Sequence, residues 1–420
     1  MKNTKNLGII ITIFAMLINI SCKQKSISST NSTNDNNIEV NSDMKQTVID
    51  GNNKFAIAIM QNLKFAEENS IISPYSISTA LAMTYGGARG KTMNEMANVM
   101  RYSLDQNSFH PTFSAFMKDI TSISSEKAGF ESANAIYAQK EYDFLQEFFD
   151  LINRNYGSAL KFVDFHKGNR EAIRQEINKW VEGKTKSKIT DLIAPNILSE
   201  DTRMVLVNSI YFLAEWEKEF NKELTYNDSF YPNNGDPQKV KYMKTTDDFM
   251  YLKSKGYEAI ELPYSGNKFS MMIVLPESKT DFSSFIKSFS YEDFNTIKSN
   301  FVKKQVEVNI PKYKIETATE LQKVLIQMGM PLAFSNKADF SGMTGKQDLK
   351  IDKVIHKAFV EVDEKGTEAA AATAVVMIRK TAAVEDMSQK IIFKADRPFL
   401  FFIKENDNNT IIFMGSVINP

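Results

Sequence analysis

The chain has 420 residues, of which 43% are hydrophobic and 24% are charged, the composition of a globular protein with a large core. Lysine plus arginine and aspartate plus glutamate both number 51, so the formal net charge is zero. This balance excludes the strongly basic domain that nucleic-acid binding requires, and we expect no nucleic-acid partner.

The N-terminal residues predict an export signal. A basic start is followed by the apolar segment 7–18, which is too short for a comfortable membrane span, and then by Cys22, the one cysteine of the sequence. The pattern resembles a bacterial lipoprotein signal, although Asn19 stands where leucine is usual. We expect residues 1–21 to be a signal peptide and Cys22 to carry a lipid in the cell envelope, on the periplasmic face or at the cell surface. The alternative is an ordinary signal peptide cut nearby and a secreted protein.

Residues 22–44 predict a flexible tether, because serine, asparagine and threonine dominate and almost nothing is available to bury. From residue 45 to Pro420 the sequence has neither a second low-complexity break nor an internal repeat. We expect residues 45–420 to form one large domain.

Helical periodicity is clearest in the first half of the domain. It occurs in the segments NNKFAIAIMQNLKF, PYSISTALAMTYGGARG and NREAIRQEINKWVEGKT. In the first of these, Asn52 or Asn53 is available as the N-cap. The second is delimited by Pro74 near its start and by a pair of glycines at its end.

The second half of the domain is richer in predicted strands. They are MVLVNSIYF, FSMMIVLP, QVEVNIPKYKI, RPFLFFI and TIIFMGSVINP. Helices first and strands mainly later predict the α+β class. More than 25 residues separate the strand predicted around 359–362 from the next, which starts near Ile391. A loop of this length in a compact domain is usually functional or disordered.

Catalytic and metal-binding motifs are missing from the sequence. The three histidines, His110, His166 and His356, are scattered without HExxH spacing, and no GxSxG motif occurs. A single cysteine cannot form a thiolate metal site. A hydrogen-bonded histidine beside a strand is a better interpretation of His356 than a catalytic base. We therefore expect no metal, no cofactor and no enzyme active site.

Six stretches, in this order, resemble the serpin family and together cover essentially the whole of residues 45–420. They are IISPYSISTALAMTYGGARGKT, INKWVEGKTKSKITDLI, VLVNSIYFLAEWEKEF, AIELPYSGNKFSMMIVLP, HKAFVEVDEKGTEAAAATAVV, and RPFLFFI with IIFMGSVINP. The resemblance implies an α+β serpin fold in one domain, with three β-sheets, eight or nine helices and an exposed reactive-centre loop. We expect a monomer.

In inhibitory serpins the reactive-centre loop is bait for a protease. Cleavage leaves a covalent acyl-enzyme, and the cut loop then inserts into the main sheet as a new strand before the acyl-enzyme is hydrolysed. The residues suit this use, because a packed sheet can close over small side chains and glycine has the torsional freedom of a hinge. The hinge that would enter first comprises Glu364, Gly366, Thr367, Ala369, Ala370, Ala371 and Ala372.

Counting along the family pattern places the bond that the protease cuts sixteen residues after the start of the hinge, at Lys380–Thr381. A slip of one residue would move it to Arg379–Lys380, and Met377 and Ile378 are the outside candidates. A basic residue before the bond suits a protease with an acidic primary pocket, as trypsin has. The resemblance thus implies a suicide-substrate inhibitor of trypsin-like serine proteases.

Two further clusters carry over by position in the family. The sheet-opening cluster, under the main sheet where its strands part, comprises Ser73, Ser76, Asn208 and His356. The sheet-top cluster, where the loop first enters, comprises Trp216, Lys312 and Glu364. Short hydrogen-bonding side chains in the first can hold the sheet shut and pair again when it opens. In the second we expect an ion pair between Lys312 and Glu364.

Two other functions fit the same sequence. A non-inhibitory serpin could act as a binding or carrier protein, although such members typically have bulky or charged hinge residues, whereas Gly366, Thr367 and Ala369 to Ala372 here are small. An inhibitor of cysteine proteases would use the same loop. Both alternatives predict the same fold, so only the behaviour towards proteases separates them.

Cys22 can be tested as the lipid-bearing residue. We expect Cys22→Ala to release the protein from the membrane fraction or to block its processing, because the thiol is the lipid acceptor in a lipoprotein signal. Cell fractionation and the mass of the mature protein measure both effects. A variant that stays in the membrane fraction at the wild-type processed mass would refute the anchor.

Overall fold

The computed structural model describes residues 38–157, 159–166, 168–277, 281–367 and 391–420, which belong to one compact unit, Ile38–Pro420. The described helices are α1 (Ser42–Asn62), α2 (Pro74–Tyr85), α3 (Gly90–Met100), α4 (Gln106–Ser122), α5 (Gln146–Tyr156), α6 (Arg170–Lys184), α7 (Phe282–Ser288), α8 (Tyr291–Asn300), α9 (Gln322–Gln327) and α10 (Ser341–Thr344). The described strands are β1 (Ser70–Ile72), β2 (Ala128–Gln139), β3 (Leu160–Val163), β4 (Met204–Glu215), β5 (Tyr226–Phe230), β6 (Gln238–Ser254), β7 (Tyr257–Pro263), β8 (Phe269–Pro276), β9 (Val302–Pro311), β10 (Tyr313–Glu320), β11 (Lys353–Val362), β12 (Gly366–Thr367), β13 (Ile391–Lys394), β14 (Phe399–Glu405) and β15 (Thr410–Val417).

These elements confirm the predicted α+β class, with two differences in number. The described part has ten α-helices where eight or nine were expected, and the last two, α9 and α10, are only six and four residues long. Its strands form two hydrogen-bonded sheets rather than three. The reason is β6, which is 17 residues long and pairs with β5 and β9 and, at its end, with β7. It thereby joins two expected sheets into one of nine strands.

The second sheet, called the main sheet below, has six strands in the order β10-β11-β12-β4-β2-β3. Strand β4 is buried along nearly its whole length, as its unbroken apolar sequence predicts for a strand covered on both faces. Its Val205 and Val207 pack with apolar residues of α6, whereas Leu206 faces the larger core on the other side. The main sheet therefore lies between two apolar layers.

Helix α1 begins earlier than the sequence predicts. Asn41 caps it by accepting a hydrogen bond of 2.9 Å from the backbone N–H of Met44, so the tether predicted to reach residue 44 ends before Ser42. The prediction of Asn52 or Asn53 as the N-cap is wrong. Both lie buried within α1 and donate to the carbonyl oxygens of Ile411 and Asn409, at 3.1 and 2.9 Å. These two side-chain amides hold α1 against the N-terminal end of β15.

The segment predicted as one strand from QVEVNIPKYKI is two strands in different sheets. β9 pairs with β6 in the nine-stranded sheet, and β10 pairs with β11 in the main sheet. Lys312 lies between them, where the chain crosses from one sheet to the other. Among the residues that the structure describes, no helix is long and apolar enough to cross a membrane.

Candidate functional site

The site is the seam between β4 and β11 at the centre of the main sheet. These two strands are parallel and pair directly from Val205 with Lys353 to Tyr211 with Phe359. Above this ladder they separate, and the short strand β12 lies between them. β12 is antiparallel to both, with Thr367 opposite Val362 on one side and opposite Ala214 on the other. In the lower part of the seam β4 and β11 thus pair with each other, and in the upper part the two residues of β12 already lie between them.

Gly366 and Thr367, two of the predicted hinge residues, are already part of the main sheet. Both are buried in it, and Thr367 has no exposed surface. Their backbone groups can form hydrogen bonds with both neighbouring strands, which favours burial of these two residues over exposure to solvent. The predicted residues Ala369, Ala370, Ala371, Ala372, Arg379, Lys380 and Thr381 lie outside the described residues, as does Cys22.

Gly366 is required by close packing. A β-carbon added there would overlap the carbonyl oxygen of Ala214 and would lie 2.7 Å from the α-carbon of Glu215. No side chain fits between β12 and β4 at this point, so glycine is needed for the approach of two backbones. From the sequence alone, we expected torsional freedom to be the reason for a glycine at this position. Because β12 can approach β4 this closely, the seam accepts a strand at its upper end.

Thr367 binds Tyr264, a residue that was not predicted from the sequence as part of the site. The hydroxyls of Thr367 and Tyr264 share a hydrogen bond of 2.6 Å, and burial raises the pKa of Tyr264. The Tyr264 ring stacks on Trp216 with 4.6 Å between ring centroids. Trp216 in turn donates its indole N–H to the carbonyl oxygen of Asp363 at 2.9 Å. Tyr264 lies within one of the serpin-like stretches, which was the available signal.

The expected ion pair at the top of the sheet is present. The Lys312 ammonium lies 2.6 Å from one carboxylate oxygen of Glu364, and Thr225 donates to the other at 2.9 Å. Burial of Glu364 opposes ionisation, but hydrogen bonds from Lys312 and Thr225 outweigh it and hold the pKa of this carboxyl below its usual value. The backbone carbonyl of Glu364 also accepts from the N–H of Phe220 at 2.8 Å. The chain just before β12 is therefore held in place by charge and by backbone contacts.

The sheet-opening cluster forms a single buried network. His356 and Asn208 are direct partners across the seam, and the Nδ1–H of His356 donates to the Asn208 side-chain oxygen. The Nε2 of His356 accepts from the backbone N–H of Ser73 at 3.1 Å. Asn208 donates to the carbonyl oxygen of Ser76 at 2.7 Å. These contacts connect the middle of the seam to the first turn of α2.

The network extends to a residue that the sequence did not single out. Asn134 lies opposite Asn208 on β2, and its side-chain oxygen accepts hydrogen bonds from both Asn208 and Ser76. Nothing in the pattern around Asn134 marks it as more than an ordinary strand residue. The network therefore spans the three strands β11, β4 and β2. Separating β4 from β11 would break only the contacts that His356 makes in it.

His356 is neutral in the folded protein at pH 7. Complete burial lowers its pKa to about 3, whereas an unfolded histidine has a pKa of about 6.5. The folded state therefore binds fewer protons between these two values. Stability is at its full value above pH 6.5 and decreases as the pH falls towards 3.

We expect His356→Gln to reduce the acid sensitivity of the protein. Protonation of the unfolded state at this histidine alone costs about 2 kcal/mol of stability at pH 5. The measurement is the thermal unfolding midpoint at pH 7 and at pH 5, which should fall less in the variant than in the wild type. His166→Gln, at a partly exposed histidine, is the control and should keep the wild-type pH dependence. An equal fall of the unfolding midpoint between pH 7 and pH 5 in both variants would show that His356 is not the source of the acid sensitivity.

Known proteins resemble this chain over almost its whole length. A family model described as "Serpin (serine protease inhibitor)" matches residues 50–420. A serpin-like protein of Thermococcus kodakarensis is 37% identical over 90% of this chain and 86% of its own length. The leukocyte elastase inhibitor of Sus scrofa is 36% identical over 88% of this chain and 98% of its own. The native structure of tengpin, a thermophilic serpin, superimposes with a TM-score of 0.80 at 28% identity, over 91% of this chain and 95% of tengpin. This chain belongs to the serpin family.

Proposed function

We propose that this serpin is a suicide-substrate inhibitor of serine proteases and that its targets are trypsin-like. The observation that carries the proposal is β12, whose two residues already pair with both strands of the seam. A strand that has begun to form in register can lengthen by adding residues to the same two ladders. The covalent chemistry belongs to the protease, so we propose no enzyme activity for the serpin itself.

The proposed reaction begins with an ordinary proteolytic step. The protease serine attacks the carbonyl carbon of Lys380, the peptide bond to Thr381 breaks, and the new amine of Thr381 leaves with a proton. The serpin is then an ester of the protease through Lys380. Water would normally hydrolyse this ester. Insertion of the cut strand into the seam removes the protease to the far end of the sheet before that step, and its active site is distorted.

Both ends of the loop are held in the uncut protein, which explains why cleavage would be needed. On one side β11 ends at Val362 in the main sheet. On the other side β13 begins at Ile391 and pairs with Val306 of β9 in the nine-stranded sheet. A strand from Glu364 to the predicted bond would span roughly 53 Å at about 3.3 Å per residue. Cleavage frees the far end, so that this length can enter the seam without separating β13 from β9.

The hinge argues against the carrier alternative. Non-inhibitory members typically have bulky or charged hinge residues, and here Gly366 and Thr367 occupy the buried positions. A cysteine-protease target would leave the same insertion step in place and change only the nucleophile. We also propose that the protein is exported, anchored through Cys22 and monomeric, which would position the inhibitor at the cell envelope.

Incubation with a panel of proteases tests the proposal directly. We expect an SDS-resistant adduct with trypsin-like enzymes and a released C-terminal peptide that begins at Thr381, measured by gel electrophoresis and mass spectrometry. Lys380→Leu should move the preference towards chymotrypsin-like enzymes, because leucine suits an apolar pocket. Arg379→Leu is the control and should leave trypsin inhibition in place. A peptide that begins well outside residues 380–381 would refute the assignment of the bond.

Thr367→Arg tests the insertion step. An unpaired charge at this buried position costs several kcal/mol, and about 3 kcal/mol in the barrier would slow insertion roughly 150-fold. We expect the variant to be cut at the same bond and to release active protease, so the ratio of cut product to covalent complex should rise steeply. Since Thr367 is already buried in the uncut protein, arginine should also expel β12 from the seam.

Thr367→Val is the matched control for this variant. It keeps the size of the side chain and removes only the hydroxyl that binds Tyr264. We expect it to trap the protease nearly as well as the wild type. Trapping by Thr367→Arg at the wild-type stoichiometry would mean that strand insertion does not depend on an uncharged, buried side chain at this position, and the proposed mechanism would fail.

A further inference from the structure

A group of hydrogen bonds joins β4 to β11 at the lower end of the seam. The β4–β11 ladder ends at the pair of Val205 and Lys353. One residue further down, the carboxylate of Asp352 accepts from the backbone N–H groups of Arg203 and Met204, at 2.6 and 3.1 Å. The backbone N–H of Asp352 also donates to the carbonyl oxygen of Met204 at 3.1 Å. We call these three hydrogen bonds the Asp352 clasp.

The clasp is a sheltered structure. The Asp352 side chain is 13% exposed, Met204 is fully buried, and the nearby ammonium of Lys350 is 3.9 Å from the carboxylate. A carboxylate that accepts two backbone N–H groups in such a place forms charge-assisted hydrogen bonds, which are stronger than those between neutral groups. Removing the acceptor would leave two backbone donors without a partner. The clasp therefore holds β4 to β11 more firmly than an ordinary ladder position does.

The register of β12 gives the depth at which the clasp lies. Thr367 pairs with Val362 and with Ala214. If β12 continued as an antiparallel strand in this register, each further residue would pair with the preceding residue of β11 and of β4. Ten residues after Thr367 is Met377, and ten residues before Val362 and Ala214 are Asp352 and Met204. An inserted strand thus reaches the clasp three residues before the bond proposed at Lys380.

We propose that the Asp352 clasp is the last barrier to complete strand insertion, and that Asp352 is a positioning residue that sets the rate of trapping. This inference rests on the proposed function. A strand that opens the seam from above meets the sheet-opening cluster first and the clasp last. Until the clasp opens, the strand cannot reach its full depth and the protease cannot reach the far end of the sheet. The same contacts keep the seam of the uncut protein closed.

Asp352→Ala is the first test. We expect the rate of the trapping step to rise about tenfold, the order expected when hydrogen bonds to a buried carboxylate are removed from a barrier. The uncut variant should also lose inhibitory capacity faster on warming. Asp352→Asn keeps one acceptor oxygen and should give an intermediate rate. Single-turnover reactions with trypsin, sampled on denaturing gels, measure the trapping step separately from cleavage.

A control variant separates the clasp from general loss of stability. Asp164 accepts from the backbone N–H of His166 at 3.1 Å and pairs with Lys140, also at 3.1 Å, beside the opposite edge of the main sheet. Asp164→Ala should lower the melting temperature without changing the trapping rate. An equal change of trapping rate in Asp164→Ala and Asp352→Ala would overturn the proposal, as would a wild-type rate in Asp352→Ala.

A reversible lock on the seam is the second test. Met204 and Asp352 are the next pair of the parallel ladder, where α-carbons about 4.8 Å apart suit a disulfide. In the Cys22→Ser background, Met204→Cys with Asp352→Cys should be cut by trypsin but release it active when oxidised, and should trap it when reduced. Trapping by the oxidised form would overturn the proposal. Absence of any complex with the wild type would instead refute the proposed function.

Discussion

The structure depends on one arrangement, a pair of parallel strands that can be separated by an antiparallel third. β4 and β11 satisfy each other's backbone groups along the closed part of the seam. β12 shows that the same strands can pair with another segment, since it bonds to both at their upper ends. In the proposed mechanism, insertion exchanges one ladder for two, so the sheet would gain backbone hydrogen bonds. The two apolar layers on either side must permit this change, and small residues in the hinge limit the volume that has to be accommodated.

Polar contacts at the middle and the top of the seam give it specificity that apolar packing could not. His356, Asn208 and Ser76 lie in the interior; His356 donates to Asn208 across the seam, and Asn208 donates to the carbonyl oxygen of Ser76 in α2. Such a network is stable only when its members are paired, so it favours the closed arrangement over a partly open one. At the top, Glu364 and Lys312 hold the chain at the entry point of β12. In the proposed mechanism, this ion pair would mark the point where a strand begins to enter, and the buried network would resist its progress.

The sequence predicted the fold class, the main strands and the members of both clusters, but not how the hinge packs. Strong periodicity and an unbroken apolar run identified α2 and β4 because burial imposes those patterns. The burial of Thr367 in β12 could not be predicted, since a two-residue strand has no pattern of its own. Asn52 looked like a cap because its partner on β15 is more than 350 residues away. Asp352 could not be identified from the sequence either, because its partners Arg203 and Met204 are 149 and 148 residues away.

In the proposed mechanism, the seam also links stability to inhibitory activity in a definite direction. Every contact that closes β4 against β11 stabilises the uncut protein and must break before a cut strand can reach full depth. Substitutions that strengthen the seam therefore raise the barrier to insertion, and those that weaken it permit insertion before any protease arrives. The hydrogen bonds from Asn52 and Asn53 to the carbonyl oxygens of Ile411 and Asn409 do not join β4 to β11, so contacts of this kind can add stability without raising this barrier. Selection for inhibition should therefore balance two rates at the β4–β11 contacts, insertion after cleavage and insertion before it. In the rest of the core, selection should act only on folding and stability.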